Sequence, residues 1–279
     1  MTNKQQINRL RDNAELAWAA YGFFHLVNGN FDKDILEKIK RKENPTITYQ
    51  DVLNVKYKNC KVIGLDRWGE EEPIGTLDGD FTPTQAKNFF ERYDILIHQP
   101  NTHSGFSATL FQDRESKEYT LAIRGTEIFT RDMFITDLQL LSGTLPNQYL
   151  DMLLFYYQCI GKIPFYVTSE SKPKGEDTSF ICDKLDIKCS HSVEYKLWEK
   201  IYIQSTQTEY KPYIAESLLK DSTLPPTSSN FTPPIDSTTK LTLTGHSLGG
   251  CLAQLFALSF SKDLSKDFKP KDSNASATE

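Results

Sequence analysis

The sequence predicts an α/β fold: a mostly parallel sheet flanked by helices, incomplete at its C-terminal end and carrying an inserted cap region. Three observations predict it. Residues 240–244 read as a short strand that runs into Gly245-His246-Ser247-Leu248-Gly249-Gly250, and an apolar helix follows over 248–261. Upstream, residues 93–98, 107–111 and 119–124 have the length and apolar content of strands. Residues 147–160 are apolar nearly all round, as suits a helix packed against a sheet.

The remaining elements follow in chain order. Over 4–27, Ile7, Leu10, Ala14, Ala17, Tyr21 and Phe24 recur every three or four residues, which predicts an amphipathic helix with that stripe in the core. A short helix is expected over 34–42, whereas 43–80 is mixed, rich in turn formers and without a clear period. Thr82-Pro83-Thr84-Gln85 is a helix start, with a capping Thr, a Pro in the first turn and a Gln able to reach back, and the helix should end near Arg92. The polar turn Asp113-Arg114-Glu115-Ser116 predicts a hairpin between its flanking strands. From 169 to 239, Ser, Thr, Pro, Lys and Asp dominate, with one helix expected near 193–203. The prolines at 225, 226, 233 and 234 exclude regular structure there. This segment reads as an insertion or cap on a single domain spanning 1–279, and the charged stretch 262–279 reads as a frayed tail. No internal repeat is visible.

Composition narrows the function classes. A chain of 279 residues with 38% hydrophobic and 12% aromatic residues can bury a sizeable core. Its mean hydropathy of -0.48 suits long solvated insertions. The net charge of -5, with no clustered basic face, argues against a nucleic-acid partner. The N-terminus, MTNKQQINRL, lacks the apolar run of a signal peptide, and no stretch approaches the roughly 20 apolar residues of a membrane span. Cytoplasmic residence is the default expectation, with export lacking a cleavable signal left open. Five scattered cysteines argue against a disulfide framework. Cys182, Cys189 and His191 lie close in sequence, but no second ligand pair at zinc-like spacing accompanies them, so no metal is expected.

The residues around Ser247 carry the chemistry. Gly-x-Ser-x-Gly between a strand and a helix is the pattern of a nucleophile elbow, in which a sharp turn lifts the serine hydroxyl clear of the sheet. Glycines two residues before and two after the serine let the backbones approach closely. The hydroxyl then sits at the positive end of a helix, where the Leu248 N–H faces a developing oxyanion. His246 should project differently from its neighbour and play a structural part. Arg124-Gly125-Thr126-Glu127 follows a strand and could present a backbone N–H at the carboxyl end of the sheet, with Asp137 in the next segment. By the residues alone this second motif is an ordinary strand-to-loop turn.

Taken together and in this order, the two motifs resemble the lipase class 3 family, the fungal-type triacylglycerol lipases and their bacterial relatives. The hexapeptide Gly245–Gly250 is the specific part, and the resemblance covers residues 84–162 and 240–262. It implies an α/β-hydrolase-like fold and a serine-dependent lipase or phospholipase-like activity on carboxylic esters. In that reading Ser247 is the nucleophile, the N–H groups of Thr126 and Leu248 form the oxyanion hole, and Asp137 braces the oxyanion loop. The implied partner is a lipid or other ester substrate. No cofactor is implied, and transient contact with a membrane surface is compatible with the activity. Oligomeric state is left open, and the 169–239 segment is longer than the family pattern leads one to expect.

One part of the pattern is missing. A serine hydroxyl needs a base, and in α/β-hydrolases the acid and then the histidine follow the serine in sequence. No histidine follows Ser247: the five are His25, His98, His103, His191 and His246. Asp263, Asp267 and Asp272 fall in the charged tail. The catalytic Asp and His are thus not identifiable. Three readings stand: an ester hydrolase truncated after the elbow, a complete chain using an unusual base such as His103 or His191, or a non-catalytic relative that binds lipid or a protein partner.

Overall fold

The computed structural model describes residues 2–39, 45–66, 68–125, 147–174 and 191–260. Helix α1 (Asn3–Ala19) starts at a capping box, in which Thr2 and Gln5 satisfy each other's backbone N–H groups. It ends earlier than its apolar period suggests. The chain turns at Tyr21-Gly22 so that Phe24 can enter the core, and a side chain at Gly22 would strike the Phe24 ring and Leu53. The stripe is also only partly buried: Ala17 and Phe24 are covered, whereas Ile7 and Leu10 are 65% and 70% exposed. The helix packs on β-strands of the main sheet, burying residues of its later turns only.

The segment without a clear sequence period is well organised. Strands β1 (Asn30–Phe31), β2 (Lys61–Leu65) and β3 (Glu71–Thr76) form a small antiparallel sheet. Short helices α2 (Lys33–Ile39) and α3 (Tyr49–Leu53) lie between β1 and β2 in the chain. Helix α4 (Pro83–Arg92) begins where expected, with the Thr82 hydroxyl accepting the Gln85 N–H at 3.2 Å.

The main sheet contains β4 (Tyr93–Gln99), β5 (Ala108–Asp113), β6 (Tyr119–Ile123), β7 (Tyr213–Ile214) and β8 (Leu241–Gly245). Its order among the described residues is β7-β4-β5-β6-β8. The expectation of a mostly parallel sheet is corrected here: β6 and β8 pair in parallel, and the other pairings are antiparallel. The cause is connection length. Only a short polar turn joins β5 to β6, which forces a hairpin, whereas a parallel pair needs a crossover of a dozen residues or more. The long connection from β6 to β8 supplies one. Strand β8 lies at the edge among the described residues.

Alternation along the strands feeds two apolar layers. Phe111 and Ala122 join Phe24, Phe81 and Phe89 on one face. Leu110, Leu121 and Ile123 face the other way, against helices α5 (Asn147–Cys159) and α7 (Leu248–Phe260) through Met152, Phe155, Leu252 and Phe256. Part of the 169–239 segment is built into this body. Trp198 and Ile201 of α6 (His191–Thr206) pack on Leu154 of α5, β7 extends the sheet beside β4, and Leu218 and Phe231 enter the second layer. The proline-rich stretch has no regular element but is tied by Asn230, whose amide donates to the carbonyls of Asp221, Leu224 and Pro225 at 2.9–3.1 Å. Among the described residues no helix is long and apolar enough to cross a membrane.

Candidate active site at the strand–helix turn

The parallel pairing of β6 and β8 runs to their carboxyl ends, with Ile123 in register with Gly245. The residues that follow each strand therefore emerge side by side, which is where sheets of this kind place their sites. From β8 the chain enters α7 with only His246 and Ser247 between the two elements. Ser247 carries φ 53, in the left-handed region that a non-glycine residue rarely adopts. Such strain persists only where the surroundings impose it. Here they do: a β-carbon on Gly245 would lie 2.5 Å from the Gly249 backbone, and one on Gly249 would lie 2.3 Å from the Ile123 carbonyl oxygen. No side chain fits at either position, so the turn can close as tightly as it does.

The turn is stitched by its own backbone. Gly249 N–H donates to His246 O at 3.0 Å, and Gly250 N–H donates to Ser247 O at 2.9 Å. Ser247 is exposed while Leu248 and Gly249 behind it are buried, so the hydroxyl stands out at the start of α7. Among the described residues its Oγ has no hydrogen-bond partner. Gly125 backs the turn from the β6 side: a β-carbon there would lie 2.5 Å from His246 O and 3.1 Å from Ser247 Cβ. The two sequence motifs thus meet at Gly125. Thr126 and Asp137 lie outside the described residues.

His246 is exposed, and its Nδ1 lies 3.0 Å from the Tyr21 hydroxyl. His25 and His98 form a different pair, their rings stacked with centroids 5.7 Å apart, and His98 Nδ1 bonds to Thr109 Oγ1 at 2.9 Å. Burial, reinforced by the charge of Arg124, lowers the His25 imidazole to about 4. Burial, then His25 and Arg124, hold His98 well below the usual histidine range. Both rings are neutral near pH 7. Arg124 is itself buried, with its backbone N–H on Ser107 O at 2.9 Å and its guanidinium 5.1 Å from the Phe23 ring. His103 has its Nδ1 3.1 Å from the Tyr210 hydroxyl.

Among the described residues no three His, Cys, Asp or Glu side chains gather as a metal site. Cys182, Cys189 and the side chain of His191 lie outside them. Sequence reasoning missed Tyr21, which was one more member of an apolar stripe. It also missed Asp151 of α5, a buried carboxylate in a helix read as apolar nearly all round. Asp151 accepts the Thr102 and Ser104 hydroxyls at 2.7 and 2.6 Å and pairs with Lys200 of α6. The spacing Thr102-x-Ser104 before a strand was the one available signal.

A strained serine on a strand–helix turn, backed by glycine on both sides and flanked by a mixed sheet with helices, belongs to the α/β-hydrolase class. The lipase (class 3) family model matches residues 120–277, more than half of the chain, and the chain belongs to that family. Lipid esters are the substrates this membership implies. No curated protein and no solved structure matches the chain.

Proposed function

We propose that this protein is a serine-dependent carboxylic ester hydrolase of the lipase or phospholipase type, with Ser247 as its nucleophile. The observation that carries the reading is the positive φ of Ser247 between β8 and α7, held by glycines that admit no side chain. In this reading Ser247 Oγ attacks the acyl carbon and its proton passes to a base. The carbonyl electrons move onto oxygen, and the oxyanion accepts hydrogen bonds from the N–H groups of Leu248 and Thr126. Collapse expels the alcohol and leaves an acyl-serine, which water cleaves in the mirror sequence. Asp137 is assigned to bracing the loop that carries Thr126.

A second reading, a relative that binds lipid or a protein partner without turnover, is favoured by one observation. Ser247 Oγ has no hydrogen-bond partner among the described residues. Turnover of a short-chain p-nitrophenyl ester by the purified chain, beside Ser247→Ala, separates the two. Turnover abolished by the substitution supports the hydrolase. Rates equal in both proteins, with a fluorescent fatty-acid analogue still bound, support the binding protein.

A further inference from the structure

Tyr21 follows α1 and so precedes the family-matched residues 120–277. Its hydroxyl reaches His246 Nδ1 at 3.0 Å, and a β-carbon on Gly125 would lie 2.7 Å from the same oxygen. One phenol therefore touches the residue before Ser247 and closes over the glycine behind it. The N-terminal helix is docked to deliver it there. The Asn13 carbonyl accepts the Thr244 hydroxyl at 2.9 Å, and Arg9 Nη2 reaches Thr242 Oγ1 at 3.5 Å. Trp18, Tyr21, Gly245 and His246 together line a cavity of about 680 Å³ beside the turn.

We propose that Tyr21 is a positioning residue for the chemistry at Ser247, acting through His246. The phenol donates to Nδ1 and selects the Nε2–H tautomer, since a ring nitrogen's proton is set by the hydrogen bond its partner makes. An exposed imidazole otherwise samples a broad, two-fold torsion. Held by Tyr21, it restrains the peptide that leads into the strained serine. A phenol that merely anchored α1 would act on stability and leave both the tautomer and the serine's reactivity unchanged. The role rests on the reading of Ser247 as nucleophile.

The test uses the full chain, its Tyr21→Phe, Arg9→Ala and Ser247→Ala variants, nitrogen-15 NMR of His246, and the rate of phosphonylation by a fluorophosphonate probe. Tyr21→Phe is expected to lose the single-tautomer signature and to label about tenfold more slowly, the effect of one positioned hydrogen bond. Arg9→Ala, which touches helix docking alone, is expected to keep both signals. An unchanged tautomer in Tyr21→Phe overturns the contact, and an unchanged labelling rate overturns the role. Arg9→Ala slowing labelling as much as Tyr21→Phe also overturns it, by assigning the effect to docking. A wild-type chain that does not label defeats the Ser247 reading itself, and the Tyr21 role with it. Labelling that survives in Ser247→Ala does the same.

Discussion

Gly125 and Ser247, far apart in the chain, abut so closely that a β-carbon on the first would lie 3.1 Å from Cβ of the second. The same added carbon would lie 2.5 Å from the backbone oxygen of His246, which cannot swing aside as a side chain can. Gly125→Ala should therefore push the β6 exit and the serine turn apart. The expected cost is about 1–3 kcal/mol, the usual range for overpacking, with phosphonylation of Ser247 slowed more than the stability loss accounts for. Urea denaturation and labelling rate measured on one preparation check both. Unchanged values in both would refute the close approach.

The β5–β6 hairpin depends on Asp113. Its carboxylate accepts the N–H groups of Glu115 and Ser116 at 2.9 Å and the Arg92 guanidinium at 2.8 Å. Burial pushes this carboxyl up, but the Ser116 N–H and Arg92 outweigh it and hold it below the usual range. Asp113→Ala should cost about 1–3 kcal/mol, because it leaves turn N–H groups without their acceptor. The loss should be present at neutral pH and shrink in acid, as the wild-type carboxylate protonates. Urea midpoints at pH 7 and pH 3 would show it.

The turn around Ser247 was legible in the sequence because its constraints are local. The strand, the two glycines and the helix lie within a few residues of Ser247, and each has a steric or periodic signature. The hairpin and the Thr82 cap were readable for the same reason. The sheet direction was not, because it is set by connection lengths rather than by any strand's own residues. Tyr21 was hidden for a related reason: an aromatic at helical spacing reads as core, and only the tertiary docking of α1 on β8 turns its hydroxyl toward His246. The described elements within 43–80 are too short for a pattern to span a full period, so β2 and β3 left no trace.

Asp151 ties the β4–β5 connection to α5 and α6 through Thr102, Ser104 and Lys200. Asp151→Ala should cost about 2–3 kcal/mol, since two hydroxyls and a half-buried ammonium lose their acceptor together. Lys200→Met should cost less, because the hydroxyl donors to Asp151 remain. Thermal melts of the two variants compare them directly. Equal losses would contradict the shared-acceptor account.

The stacked imidazoles give stability a pH dependence of known sign. His25, lowered to about 4 in the folded chain by burial and Arg124, takes up a proton near 6.5 when unfolded. Its stabilisation is complete above pH 6.5 and is lost progressively as pH falls toward 4, amounting to about 3 kcal/mol over that window. His98 acts in the same direction. Urea midpoints of the wild type and His25→Gln at pH 7 and pH 4.5 test this. The wild type should lose more on acidification than the variant, and parallel losses would show that His25 does not carry the effect.

Identifying the residue that reacts with a fluorophosphonate tests the account most directly. Incubation of the purified chain at pH 7–8, followed by peptide mapping, should yield one adduct on the peptide containing Ser247, absent in Ser247→Ala. An elbow that strains the serine and lifts it to a helix N-terminus predicts that selectivity over every other serine in the chain. No adduct, or an adduct on another serine with Ser247 unmodified in folded protein, would contradict the assignment of Ser247 as the nucleophile.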